Sequence, residues 1–280
     1  MNISVRPQKI KKDRTKTRLI VFLSLAILLL LAAAFAEFIC PYDPNAQDMA
    51  AALQAPSAAH LAGTDRFGRD MLSRILVGLK TSVYSTLLLV AVISVLGTAL
   101  GVFCGYVGGA ADSVIMRIGD VCLAFPGLVF AMAIAALLNG GVGNAIIALA
   151  VVSWPKYARI SRSQTLTIKS TEYIAAARLS GCTGAKIIFR HILPNCLGPV
   201  LVTATLDIGT MMMELAGLSF LGLGAQPPTA ELGNMMSVGR SMLQTYPWVV
   251  IGPGIAIFIA VVIFNLLGDA VRDRLDPKQK

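Results

Sequence analysis

The sequence predicts an all-α membrane protein with six transmembrane helices and a long helical loop on the cytoplasmic side. The 280 residues are 56% hydrophobic and only 14% charged, with a mean hydropathy of +0.72, far from the composition of a soluble domain. Six long apolar runs occur, and a polar, basic stretch separates the fourth run from the fifth. The chain therefore belongs in a bilayer, and the remaining segments are too short for a sizeable soluble domain.

Each apolar run is long enough to cross a membrane. About 20 apolar residues span a hydrocarbon core of about 30 Å, because an α-helix rises about 1.5 Å per residue. The first run is longer than the apolar core of a signal peptide, so we predict that it remains as an uncleaved helix. The third run is interrupted by Asp120 and Pro126. The predicted spans are residues 19–39, 81–107, 114–138, 144–160, 197–218 and 248–268.

The distribution of Lys and Arg predicts that both termini are cytoplasmic. Basic residues are enriched in the cytoplasmic segments of membrane proteins. With the N-terminus inside, nineteen of the 24 basic residues lie on the cytoplasmic side and five lie outside. The net charge of +9 then reflects orientation and attraction to anionic lipid, so nucleic-acid binding is not indicated.

This orientation divides the chain into regions. The periplasmic segment begins rich in Pro, Ala and Asp and ends in an amphipathic stretch around residues 72–79. A long cytoplasmic loop interrupts the membrane core. The predicted regions are a basic cytoplasmic tail (1–18), the first helix (19–39), the periplasmic segment (40–80), a five-helix core (81–268) that includes the cytoplasmic loop (161–195), and a cytoplasmic tail (269–280).

The cytoplasmic loop carries the signals of a short helix. Ser170 or Thr171 can cap its start, and Glu172 lies in the first turn, where the helix dipole favours an anion. Arg178 lies in the last turn, and Gly181 follows as a left-handed terminator. The pattern therefore predicts one helix that ends at this glycine.

A second helix is predicted over residues 185–193, and Pro194 is expected to halt it before the fifth span. The two helices would form a helix-turn-helix outside the bilayer. The small side chains of Ala175, Ala176 and Ala177 let another backbone come close. Because about forty ordered residues are long for a mere connection, we predict docking on a cytoplasmic partner. The alternative is a solvated connector.

The loop also resembles the EAA loop of ABC importer permeases, whose pattern is Glu-Ala-Ala, three residues, Gly, nine residues, Ile, one residue, Leu-Pro. Alanine and histidine stand where the glutamate and the isoleucine are expected. Glu172 lies nearly one turn earlier, on much the same helix face, as in the peptide-importing and nickel-importing branch of the family. The pattern falls on Ala175, Ala176, Ala177, Gly181, His191, Leu193 and Pro194.

The resemblance to this branch extends over nearly the whole chain. It includes "GTDRFGRDMLSRILVG" from Gly63, "LSFLGLGAQPPTAELG" from Leu218 and "FNLLGDAVRDRLDP" from Phe264. It implies the fold of a type I ABC importer permease, with a coupling helix around Gly181 that inserts in a groove of an ATP-binding subunit. The implied coupling residues are Glu172, Ala175, Ala176, Ala177, Arg178, Gly181, Leu193 and Pro194.

The resemblance also implies partners. These are a second homologous permease subunit, two cytoplasmic ATP-binding subunits and a periplasmic solute-binding protein, all assembled on the lipid bilayer. ATP hydrolysis requires a phosphate-binding loop of the form GxxxxGK[ST], which the sequence lacks. We therefore predict a transport subunit and not an enzyme, with no catalytic residue and no cofactor of its own; ATP binds to a partner chain.

Two carboxylates in the fifth span form a polar stripe. Asp207, Met211 and Glu214 follow one another at helical spacing, so they share one face. Burying a carboxylate at mid-membrane costs about 2.5 to 3.5 kcal/mol, so such a side chain seldom faces lipid. The stripe either lines a translocation path, or its carboxyl groups make hydrogen bonds between helices or stay protonated, and the sequence leaves both readings open. Met211, Met212 and Met213 point in different directions, which favours packing over metal binding; whether any residue here holds a metal is unknown.

Two further features concern helix packing. Asp120 lies three residues after Arg117, and we predict that the two form an ion pair. Gly97, Gly101, Gly105 and Gly109 recur every four residues, which predicts a ridge on which another helix packs closely.

The substrate is the least determined feature. The stretch "TLDIGTMMMELAGLSFLGLG" from Thr205 looks more like nickel permeases, whereas "HILPNCLGPV" and "AQPPTAELG" look as much like dipeptide permeases. We predict nickel, free or chelated, with short peptides as the alternative. A carrier or channel driven by an ion gradient is the alternative of a different class. It would use Asp207 and Glu214 as ion sites but would leave the EAA-like loop without a purpose.

Overall fold

The computed structural model describes residues 9–275, with side chains from Thr15 onward. Every regular element in that range is helical, apart from one isolated bridge between Thr64 and Asp70. The predicted all-α class is confirmed. The helices are α1 (Lys9–Ala34), α2 (Ala36–Ile39), α3 (Met71–Val107), α4 (Gly109–Ala124), α5 (Gly127–Leu137), α6 (Val142–Lys169), α7 (Glu172–Leu179), α8 (Gly184–Ile187), α9 (Leu193–Phe220), α10 (Leu232–Gly239) and α11 (Trp248–Leu275).

Within the described residues, four helical segments are long and apolar enough to cross a membrane. They are Thr15–Ala34, Met71–Val107, Gly184–Phe220 and Trp248–Leu275. A bent pair, α4 and α5, adds a fifth if it forms one span. The fourth predicted span, residues 144–160, falls on α6, which is less apolar because its second half carries Lys156, Arg159 and Arg162. Six spans therefore remain a prediction.

The third predicted span is not one helix. α4 ends at Ala124, α5 begins at Gly127, and the two axes differ by 97°. The ring of Pro126 disfavours helical geometry in the residue before it, and Phe125 is extended, with φ −106° and ψ 154°. The proline predicted to interrupt the span thus divides it.

The second predicted span begins earlier than expected, at Met71 instead of Thr81. Asp70 caps this start, since its carboxylate accepts a hydrogen bond from the Ser73 amide at 2.8 Å. The amphipathic stretch assigned to the periplasmic segment is therefore the first part of α3, which runs for 37 residues.

The glycine ridge of α3 packs on α6. A Cβ on Gly101 would lie 2.2 Å from the Ala158 carbonyl oxygen, and one on Gly97 would lie 2.5 Å from that of Trp154. A Cβ on Gly105 would lie 2.7 Å from the Thr165 side chain. Gly109 lies beyond the end of α3 and has no atom within 4 Å of such a Cβ. Close packing is confirmed for three of the four glycines, and the prediction for Gly109 is wrong because the helix ends first.

The apolar core lies between α3, α6, α9 and α11, with Leu89, Leu149, Leu218 and Phe264 among its fully buried side chains.

The short helix α10 is held against this core by hydrogen bonds of Glu231. This buried carboxylate accepts hydrogen bonds from the Asn234 amide at 2.8 Å and from the Ser82 hydroxyl of α3 at 2.9 Å. One side chain therefore caps α10 and ties it to α3.

We expect Gly101→Ala to lower the free energy of unfolding by about 1–3 kcal/mol, because the added methyl must push α3 away from α6. Thermal unfolding of the detergent-solubilised protein measures the change. Gly143→Ala is the matched control, since its Cβ would have no atom within 4 Å. Equal stability of the two variants would contradict the close helix contact.

Candidate functional site

The short helix predicted in the cytoplasmic loop (residues 161–195, here called the coupling loop after its predicted role) is present as α7, and Gly181 ends it. Gly181 has φ +79°, in the left-handed region that favours glycine. The Cys182 amide donates to the Ala177 carbonyl at 3.1 Å, and the Gly181 amide donates to that of Arg178 at 3.0 Å. These two bonds define a Schellman motif. The predicted left-handed terminator is thus found where the sequence placed it.

The start of α7 differs from the prediction. Thr171 occupies the capping position, but its hydroxyl donates to the Ile168 carbonyl at 2.6 Å and accepts no bond from α7. The Ser170 hydroxyl donates to the Thr167 carbonyl at 2.9 Å. Ser170 and Thr171 directly follow Lys169, the last residue of α6, and the last carbonyls of that helix lack helical partners and accept from both hydroxyls. The predicted side-chain cap is therefore wrong.

Pro194 does not halt the second loop helix. A turn of π-helix over Ile188–Ile192 connects α8 to α9, so the chain is helical from Gly184 to Phe220. In this wider turn the Leu193 amide donates to the Ile188 carbonyl. The turn accommodates Pro194 at the next position, where no amide hydrogen is available. The fifth span thus continues directly into the coupling loop.

The coupling loop has a buried underside and an exposed outer face. Ile174, Ile187 and Ile192 are fully buried against Val102 of α3 and Cys196 of α9. On the outer face Leu179 is 89% exposed and Phe189 is 70% exposed. The predicted coupling residues differ in exposure: Glu172, Ala175, Ala176, Arg178, Gly181 and Pro194 are exposed, and Ala177 and Leu193 are half-buried.

Asp207 of the polar stripe bonds to α6. It is only 3% exposed, and its carboxylate accepts a hydrogen bond from the Tyr157 hydroxyl at 2.9 Å. Its other oxygen accepts one from the Lys156 ammonium at 2.5 Å. The Lys156 side chain remains 52% exposed. Of the two readings left open by the sequence, the hydrogen bonds between helices are present, and they leave the lysine accessible beside the carboxylate.

The other residues of the stripe differ in environment. Met211 is buried, while Glu214 is half-buried and makes no hydrogen bond or ion pair within the described part of the chain. Met212 is buried and Met213 is 54% exposed, so the three methionines face different surroundings, as their spacing predicts. Residues 9–275 contain no group of three or more His, Cys, Asp or Glu side chains placed to hold a metal ion.

The ion pairs of α4 were not predicted correctly. Asp120 pairs with Arg159 of α6 at 2.7 Å and not with Arg117. Asp112 accepts two hydrogen bonds from the Arg162 guanidinium, both at 2.6 Å. Asp120 and Arg159 come together because α4 packs on α6, a contact between helices that spacing within one helix does not report. The series Lys156, Arg159 and Arg162 at intervals of three was the available signal, since it places three cations on one side of α6.

Sequence comparison assigns the chain to a family. Residues 97–280 match the family described as "Binding-protein-dependent transport system inner membrane component". Residues 16–56 match the "N-terminal TM domain of oligopeptide transport permease C". The chain belongs to the first of these families. It is thus an inner-membrane component of a transport system and not an enzyme.

Individual relatives extend this likeness over most of the chain. A probable D,D-dipeptide transport system permease protein of Escherichia coli (strain K12) is 45% identical over 252 residues, 90% of this chain and 85% of that protein. A glutathione transport system permease protein of Pectobacterium atrosepticum is 45% identical over 258 residues, 91% of this chain and 86% of that protein. The chain is therefore a permease subunit of an ABC importer.

A solved structure supports the fold. The MetNI methionine ABC transporter in inward-facing conformations matches 74% of this chain and 98% of its own chain, with a TM-score of 0.59 and 19% identity. At that identity the likeness concerns the fold alone. It confirms the architecture of an ABC importer permease that the sequence motifs predicted.

We expect Asp207→Leu to destabilise the protein by about 1–3 kcal/mol, because it removes the acceptor of the Lys156 and Tyr157 donors. The double variant Asp207→Leu with Lys156→Met should recover part of the loss, since it also removes the unpaired cation. Asp120→Leu is the control: its exposed ion pair should contribute less than about 1 kcal/mol. Unfolding midpoints of the purified variants measure all three changes, and equal effects at Asp207 and Asp120 would contradict the buried-pair assignment.

Proposed function

We propose that this permease subunit imports short peptides or peptide-like solutes, and that separate ATP-binding subunits drive it through the coupling loop. The observation that carries the proposal is the environment of α7. This short helix ends at Gly181, and one of its faces is buried while the other is exposed. A connector would not need three fully buried isoleucines beneath it. A docking helix does, because force applied to its outer face must reach the membrane helices without unfolding the loop.

The outer face of the loop suits a protein partner. Leu179 is 89% exposed and Phe189 is 70% exposed, so the loop offers two large apolar side chains that a partner could cover. Ala175 and Ala176 leave room for a close backbone approach, and Glu172 and Arg178 are exposed beside them. These features support the assignment of the predicted coupling residues to contact with an ATP-binding subunit.

The choice of peptides over nickel rests on the relatives and on the polar stripe. Both relatives described above carry names that specify dipeptide or glutathione transport. Asp207, the carboxylate that suggested nickel, already bonds Lys156 and Tyr157. The methionines face different surroundings. The peptide alternative is therefore better supported than nickel.

The polar stripe is proposed as part of the translocation path. Charged side chains in a spanning region rarely face lipid. Lys156 is half exposed beside Asp207, and Glu214 is half-buried without a protein partner among the described residues. An aqueous path between this chain and a second permease subunit would solvate both groups. Met211, which is buried and lies between the two carboxylates in the sequence, would form part of the wall.

The proposed assembly follows from the charge distribution and the family. Two permease subunits span the bilayer, two ATP-binding subunits lie on the cytoplasmic side with both termini of this chain, and a solute-binding protein docks on the periplasmic face. That face would include residues 40–70 and the loop between α9 and α10. An ion-gradient carrier remains the alternative of a different class, and it gives the coupling loop no partner.

Gly181→Val tests the coupling assignment. A β-branched residue strains a position with φ +79°, so we expect loss of ATPase association while the chain still inserts in the membrane. Copurification of the ATP-binding subunits with the tagged permease measures association. Gly222→Val is the matched control, since Gly222 has φ +84° and open space around its Cβ, but lies in the proposed periplasmic loop. ATPase recovery equal in both variants would refute the coupling role.

The substrate proposal is tested with the assembled importer and its binding protein in proteoliposomes. We expect ATP-dependent accumulation of radiolabelled alanyl-alanine and no accumulation of radioactive nickel. Nickel uptake without dipeptide uptake would reverse the assignment. Uptake by this chain alone, driven by an ion gradient in the absence of ATP, would favour the carrier.

A further inference from the structure

Tyr106 lies where the coupling loop meets the membrane helices. It is in the last turn of α3, one residue before that helix ends. Its side chain packs against the apolar cluster under the loop, together with Ile168 and Leu193. No sequence pattern distinguishes this residue, because a tyrosine near the end of an apolar helix is common at a membrane interface.

Three other elements meet at Tyr106. From the end of α6, the Lys169 ammonium donates to the Tyr106 carbonyl at 2.5 Å and lies 5.5 Å from the ring centroid. From α7, the Arg178 guanidinium carbon lies 6.0 Å from the same centroid. From α8, a Cβ on Gly184 would lie 3.0 Å from the phenolic oxygen. The ring thus lies near two cations, one from α6 and one from α7, and against the start of α8.

The contact with Arg178 is the informative one. Arg178 is exposed and forms no ion pair or hydrogen bond through its side chain within residues 9–275. Arg178 is linked to the membrane helices through the ring of Tyr106. A cation over an aromatic face is attracted by the ring quadrupole. Lys169 of α6 donates a hydrogen bond to the backbone carbonyl of Tyr106, and its ammonium lies near the ring. A displacement of α7 would therefore act on α3 and α6 through this side chain as well as through the buried Ile174.

We infer that Tyr106 is the positioning residue that transmits movement of α7 and α8 to the α3–α6 pair. The inference rests on the proposed coupling function and deepens it. The close packing of α3 on α6 at Gly101 and Gly105 makes these two helices move together. A push on Tyr106 would then shift α6 and, with it, Lys156 and Tyr157 beside the proposed path.

If Tyr106 only stabilised the fold, replacing it would change the stability of the protein but not the amount of solute transported per ATP. The test therefore measures that ratio. The assembled importer, with its partner permease, ATP-binding subunits and binding protein, is reconstituted in proteoliposomes. The readout is the number of radiolabelled alanyl-alanine molecules accumulated per ATP hydrolysed. We expect Tyr106→Leu to keep ATPase association and hydrolysis but to lower this ratio about threefold to tenfold.

Two variants bracket the effect. Tyr106→Phe keeps the ring and the backbone carbonyl, so it should retain most of the coupling. Tyr84→Leu is the matched control on the same helix: Tyr84 is exposed, and its hydroxyl donates to Leu30 of α1, far from the loop. This variant should have an unchanged ratio.

The outcomes separate this inference from the function on which it rests. If the unsubstituted chain recruits its ATP-binding subunits and Tyr106→Leu leaves the ratio unchanged, the inference is wrong while the coupling function stands. If the unsubstituted chain recruits no ATPase, the function itself fails. Should Tyr106→Leu be absent from the membrane, Gly184→Ala carries the test: its methyl presses on the phenolic oxygen, and an unchanged ratio there overturns the inference as well.

Discussion

The close contact between α3 and α6 is the constraint on which the rest of the structure depends. Glycines at positions 97, 101 and 105 let the two backbones approach, and any side chain there would meet α6 atoms at 2.7 Å or less. In a bilayer the hydrophobic effect does little to bring helices together, so close van der Waals packing of this kind provides much of the association. It also sets the position of α6, whose side chains bond to α4, to α9 and to Tyr106 of α3.

Three cations of α6 pair with carboxylates on two neighbouring helices. Lys156 reaches Asp207 of α9, while Arg159 and Arg162 reach Asp120 and Asp112 of α4. Each pair keeps a charge from facing lipid alone, and together they orient α4 and α9 around α6. In the sequence these basic residues indicate only the orientation of the chain in the membrane. In the structure they also stabilise the packing of the helices. The same helix ends at Lys169, which touches the coupling loop through Tyr106.

Much of the fold was predictable because it depends on local patterns. The apolar runs, the Pro126 break and the Gly181 terminator each follow from chain geometry over a few residues. The predictions were wrong where a residue bonds to a different element from the one expected. Thr171 donates to a carbonyl of α6, Asp120 pairs with Arg159 of α6, and a π-helical turn keeps the chain helical through Pro194. In each case a tertiary or neighbouring contact competed with the local signal.

The sequence by itself determined the class of protein, the approximate location of most of its helices, the family motifs and the short loop helix that ends at Gly181. These follow from composition and from spacings within one helix or turn. Only the tertiary structure decided that Asp207 bonds Lys156 and Tyr157, and that Tyr106 lies between Lys169 and Arg178. Such contacts join residues far apart in the chain, and their formation depends on how closely whole helices approach, a quantity that no local pattern contains.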